Sequence, residues 1–175
     1  MNPFNNPQID VLNLPSFESL DFIPLETSYR TVILAKSILF WIVVVVGAAC
    51  FLYFKEPTQN EFIIKSMFGL ILFLFIIRFI SILIGFKLKS YSVREHDIQY
   101  KTGWLWRSHT IIPFKRIQHS EVSQGPIERL FNLGRLRVFT AGGSSSDLVI
   151  PGLTHEHANR LKMLITSRIS SNEEE

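Results

Sequence analysis

The chain has 175 residues, a net charge of +3 and one cysteine, so it has room for one domain and little more, and it excludes both a disulfide framework and a thiolate metal cluster. Hydrophobic residues make up 47% of it, and nearly half of them crowd into residues 31–86, about a third of the chain, which excludes an ordinary soluble domain and points to a membrane protein. Charge is segregated too: residues 1–30 are net −3, residues 31–86 net +2 and residues 87–172 net +7, with three glutamates at the end. The basic surplus therefore belongs to the segment after the apolar region.

Residues 1–30 have no basic start, no early apolar core and no small-residue cleavage site, so they do not read as a signal peptide. Four prolines and several asparagines predict a loosely ordered arm, in which "VLNL" and "LDFIPL" offer a few apolar side chains for docking.

Residues 31–86 read as a two-helix transmembrane hairpin. "SILFWIVVVVGAACFLYF" (residues 37–54) carries no charge over 18 residues, about 27 Å of helix. Lys36 and Lys55 flank it, and Trp41 and Tyr53 sit toward its ends, where amphipathic rings prefer the interface. The second run, residues 66–86, is interrupted by Arg78. Either Arg78 anchors at the nearer interface, by snorkelling or because the span ends there, or it makes a polar contact inside the bundle. The link "KEPTQNE" contains Pro57 and Asn60 and is short enough to force the helices antiparallel. Arg30, Lys36, Lys87, Lys89, Arg94 and Lys101 lie outside the hairpin, so the positive-inside bias places both termini in the cytoplasm.

Residues 87–170 change to short alternating runs with turn signals, the pattern of a small β domain, and residues 171–175 form an acidic tail. Tyr91 and Val93, then Ile98 and Tyr100, face one side of a hairpin that turns over Glu95 to Asp97. Gly103 marks the next turn before "WLWRSHTII", and "RIQHSEV" follows as a strand closed by Gly125. Pro126 suits the first position of a short helix whose Ile127, Leu130 and Phe131 share a face, with Gly134 as the stop. "RLRVF" sends Leu136 and Val138 inward and Arg135 and Arg137 outward; "TAGGSSS" is a turn and "DLVI" a short strand. Thr154 predicts an N-cap, with Leu153 packing on Ala158, for a last helix carrying Leu161, Ile165 and Ile169 on one face. The predicted fold is a membrane α-helical hairpin plus a small antiparallel β sheet or partial barrel with a C-terminal helix.

"IPFKRIQHSEVSQGPIERLFNLGRLRVFTAGG", followed by "IPGLTHEHANRLKMLI", resembles the bacterial pleckstrin-homology-like domain of YdbS-type membrane proteins, over roughly residues 89–165. The order of parts carries the resemblance: Pro-Phe-Lys-Arg-Ile-Gln, Gln-Gly-Pro before a helix, Gly before a basic strand, then Ala-Gly-Gly. It implies seven strands and a C-terminal helix; six are readable, so one is short or hidden in residues 104–114. It also implies, as partner, a larger membrane protein carrying several such domains.

Lys87, Lys89, Lys101, Arg107, Lys115 and Arg116 are candidates for contact with anionic headgroups, roughly 1 kcal/mol each near the surface. The plainer reading, favoured by the two-span anchor, is that they only keep a tethered domain compatible with lipid. The turn Arg94-Glu95-His96-Asp97 holds two acids, which argues against a phosphoinositide site. Trp104 and Trp106 share a strand face and are expected in the core, a membrane-interface belt being the other reading. Arg135 and Arg137 could meet a partner's acids, though a solvated face is the simpler expectation. His155 and His157 diverge on a helix, and His119 and Ser120-Glu121 point to opposite faces, so neither a metal cluster nor a catalytic set is expected. Gly142-Gly143 lacks the lysine and spacing of a phosphate loop. The expected protein is non-catalytic, without a cofactor or nucleic acid, and assembles with itself or another membrane protein. Anionic-lipid recognition is the first alternative, and a small-ligand carrier or enzyme the second.

Overall fold

The computed structural model describes residues 21–54, 61–142 and 147–173. The "VLNL" stretch, the interhelical link up to residue 60, the end of the "TAGGSSS" turn and the last two glutamates lie outside the described residues.

A two-residue strand, β1 (Ile23–Pro24), precedes helix α1 (Thr27–Phe54), and helix α2 (Glu61–Lys87) runs back beside it. Trp41 meets Phe75 edge to face, with ring centroids 6.0 Å apart. The helices have 28 and 27 residues, about 40 Å each and longer than the ~30 Å hydrocarbon core. Helix α1 gains its extra turns at the end next to the sheet and α2 gains its own at the far end; next to the sheet Val32 and Ile82 are buried and Tyr29 and Phe86 pack on the core.

Strands β2 (Ser90–Val93), β3 (Asp97–Thr102) and β4 (Ser108–Pro113) follow as a meander. Strand β1 pairs antiparallel with β2, Ile23 opposite Tyr91, completing a sheet of order β1-β2-β3-β4. The membrane hairpin is thus an insertion between two neighbouring strands. A single 3-10 turn (Phe114–Arg116) leads to β5 (Ile117–Ser123), helix α3 (Pro126–Leu130), β6 (Leu133–Thr140) and β7 (Leu148–Thr154), a sheet of order β5-β6-β7. The two sheets do not close into a barrel. Helix α4 (His155–Glu173) covers their open end and supplies Ala158, Leu161 and Ile165 to a core with Ile98, Phe114, Leu136, Val138 and Ile150. Thr154 Oγ1 accepts the His157 N–H at 3.1 Å, which caps this helix.

Seven strands and a C-terminal helix are what the resemblance implies, but the short strand is Ile23–Pro24, not part of residues 104–114. The arm therefore has definite places near its end: Leu25 is 4% exposed in the core, and the Phe22 ring lies 5.8 Å from His109 on the outer side of the sheet. Gln99, on the face opposite Ile98 and Tyr100, is buried there between Asp97 and His109. Trp104 and Trp106, expected in the core, are 41% and 82% exposed on an open turn over residues 103–107. Gly103 (φ +107) causes this, because it reverses the chain before a strand can start at the tryptophans. In α3 the expected apolar face is only partly covered: Ile127 is half-buried, Leu130 is 82% exposed, and the fully buried side chain is Glu128. Asn132 (φ 52), not Gly134, takes the left-handed position after this helix, and Gly134 sits within β6.

Candidate functional site

The seam where the hairpin meets the sheets is built from residues far apart in sequence. Glu26 donates its N–H to the Gly152 carbonyl at 3.1 Å, which fixes the start of α1 on β7. Gly152 has φ +67, and a Cβ there would lie 2.4 Å from Tyr29 Cγ, so the Tyr29 ring rests directly on bare backbone. Two turns further along α1, Lys36 Nζ donates to Glu128 Oε1 at 2.6 Å, and Arg135 donates to the same oxygen. Glu128 Oε2 has no partner among the described residues. Burial raises the Glu128 pKa, but hydrogen bonds from Lys36, from its own backbone N–H and from Arg135, with the Lys36 charge, together hold the carboxyl below its ordinary value.

On the other side of α1 a groove runs between the helices. One stretch of about 520 Å³ is lined by Tyr29, Ile33, Lys36, Phe40, Arg78 and Lys89. It continues past Ile33, Arg78 and Lys89 into a second of about 270 Å³ that ends at Trp104 and Leu105. Arg78 therefore stands level with Lys36 and Ser37 of α1, at the sheet end of the hairpin rather than deep in it. It has no hydrogen-bond or ion-pair partner among the described residues. Lys89 lies over the Tyr29 ring, 5.8 Å from its centroid. Its pKa is depressed by burial and then by the neighbouring Arg78 charge.

The other basic candidates divide between exposed positions and existing partners. Lys101 and Arg107 line a separate cleft of about 390 Å³ with Leu88 and His109. Lys101 Nζ is 4.0 Å from the Phe22 ring centroid. Lys87 is exposed at the end of α2, and Lys115 and Arg116 are exposed on the 3-10 turn. Arg135 is committed to Glu128, and Arg137 donates to Glu121 at 3.0 Å, so neither is the open cation that a partner's acid would need. His119 stacks on Phe139 at 4.3 Å beside Ser120, while Glu121 serves Arg137. Tyr29, Gly152 and Glu128 were not readable as site residues. A carboxylate at the third position of a Pro-initiated helix was the one signal for Glu128, since acids favour a helix N-terminus.

Two exposed apolar points flank the seam. Trp104 approaches α2 at Gly85, within 3.9 Å of where a Cβ would stand, and Leu105 and Trp106 project from the same turn. Leu130 and Phe131 are exposed at the end of α3, the helix that Glu128 ties to α1.

The chain matches the bacterial PH domain model over residues 9–169, a stretch that takes in the arm and both apolar helices as well as the sheets. It is 37% identical over 76 residues to the transmembrane protein YdbS of Bacillus subtilis, a match covering 43% of this chain and 46% of that protein. No solved structure matches it. With two apolar helices of spanning length, two antiparallel sheets and a capping helix, the chain belongs to the bacterial PH domain family and is a YdbS-type membrane protein.

Proposed function

We propose that this protein is a non-catalytic membrane module that assembles through its hairpin with a second membrane protein or another copy of itself, its sheet domain lying at the cytoplasmic face. The bare packing surface of the hairpin carries the reading. In the most apolar stretches of α1 and α2, 0% and 6% of residues are buried by the chain itself. Between the helices a groove of about 540 Å³ is lined by Ile38, Trp41, Ile42, Val46, Leu72 and Phe75. Lipid is as apolar as these side chains, so helix association in a bilayer depends on shape and hydrogen bonding, and an unfilled groove favours a complementary helix. The cytoplasmic orientation is supported by Lys36, Arg78, Lys87 and Lys89 at the sheet end of the hairpin. At the opposite end, Lys65 is paired with Glu61 at 2.9 Å.

The test is mild detergent extraction of the full chain, with mass and mass-spectrometric composition measured for wild type and Val46→Trp. A stoichiometric companion or a defined homo-oligomer, lost in Val46→Trp, supports assembly. A wild-type monomer accompanied only by lipid overturns it.

A further inference from the structure

We propose that the groove between Arg78 and Lys89 binds the phosphate of an anionic phospholipid headgroup. Two cations from different elements, the α2 helix and the segment after it, line one cavity without a facing acid among the described residues. Lys36 at its edge already holds Glu128, and Glu128 is further engaged by Arg135. Like charges brought together in a partly apolar groove disfavour each other, and the Lys89 pKa is depressed first by burial and then by the Arg78 charge. One phosphate between them turns that repulsion into attraction. That attraction acts through positive charge near the membrane surface, which a lysine at position 78 also supplies.

Position selects a lipid over a soluble ion. The groove lies level with Lys36 and Ser37, where the uncharged part of α1 begins, and the Trp104 turn borders its other end. Aromatic rings at that level mark the headgroup layer. Its walls include Ile33, Phe40 and Ile82, apolar surface that would meet the glycerol backbone and the start of the acyl chains. A free phosphate has no use for such walls.

The experiment presents the full-length protein in detergent with equal phosphatidylglycerol and phosphatidylcholine and counts retained lipids by native mass spectrometry. Wild type should retain one phosphatidylglycerol in preference. Arg78→Gln and Lys89→Gln should each weaken retention about fivefold, as expected for losing one basic contact near a lipid phosphate. Arg78→Lys should keep most of it, and Lys115→Gln should change nothing. Equal retention of the two lipids, or indifference to both Gln variants, overturns the site. Equal losses in Arg78→Lys and Arg78→Gln would make shape rather than charge the cause and also overturn it. Inorganic phosphate binding to the lipid-free protein with the same sensitivity would assign the groove to a soluble anion. Variants that break assembly while lipid stays bound would assign it to a partner's acid. Either result removes the lipid assignment.

Discussion

Glu128 shows how much one buried acid can organise. It is 2% exposed, and its two cations come from α1 and β6, so it joins the membrane helix to the second sheet. Its folded-state pKa is below the ordinary carboxylate value despite burial. Its stabilising contribution is therefore complete above the unfolded-state pKa and is lost as pH falls through the lower folded value. Glu128→Gln should cost about 1–3 kcal/mol at neutral pH, because it leaves Arg135 with a weaker acceptor. It should also flatten the acid limb of thermal unfolding in detergent as pH falls through and below the ordinary carboxylate range. Asp97, held low chiefly by Arg94, contributes in the same direction, so the limb should shrink rather than vanish. An unchanged limb would mean that Glu128 is not the ionised link described here. Gly152→Ala tests the second contact of the seam. The left-handed backbone costs about 1–2 kcal/mol for a Cβ residue, and displacing the Tyr29 ring costs about 1–3 kcal/mol more. Melting of the purified variant should show that loss, whereas Gly142→Ala, with open space around it despite φ +90, should lose only the backbone part.

At the scale of elements, legibility followed the range of the interactions involved. Strand β6 was readable because alternation is local: Leu136 and Val138 are both 0% exposed and alternate with Arg135 and Arg137. Helix α4 was readable for the same reason, from the Thr154 cap to Ile165. Strand β1 was not, because two residues have no period and Ile23–Pro24 pairs only with a strand beyond the whole hairpin. The seam was hidden likewise, since Lys36 and Glu128 are 92 positions apart. Trp104-Leu105-Trp106 was misread because an exposed turn can copy strand alternation, and only the Gly103 conformation breaks the pattern. Once placed beside Gly85, that turn acquires a position relative to the bilayer. In vesicles, a Trp41→Phe protein reports only Trp104 and Trp106, and its fluorescence should be quenched more by lipids brominated near the headgroup than by those brominated near the chain end. Quenching by neither would put the turn in water.

For the whole molecule, the consequential feature is that the membrane hairpin interrupts the sheet domain instead of preceding it. The domain takes β1, Leu25 and Tyr29 from before the hairpin and Phe86 from its last turn. A chain cut to residues 87–175 loses all four and leaves β2 as an unpaired edge. Leu25 alone is worth about 1.5–3 kcal/mol of burial, a large part of the margin of a domain this small. Pro24 and Ser90 are direct partners across β1 and β2, so the two ends of the insertion stand side by side. Replacing residues 31–86 with a short glycine–serine link, while keeping residues 21–30, should therefore give a soluble domain that unfolds cooperatively and shows a dispersed amide spectrum. The 87–175 fragment should show neither property. If that fragment folds as stably as the linked chain, β1 and Tyr29 are accessories, and the hairpin is a simple anchor. If only the linked chain folds, the first strand belongs to the domain, and any movement of α1 in the membrane is felt directly at β2, β7 and Glu128.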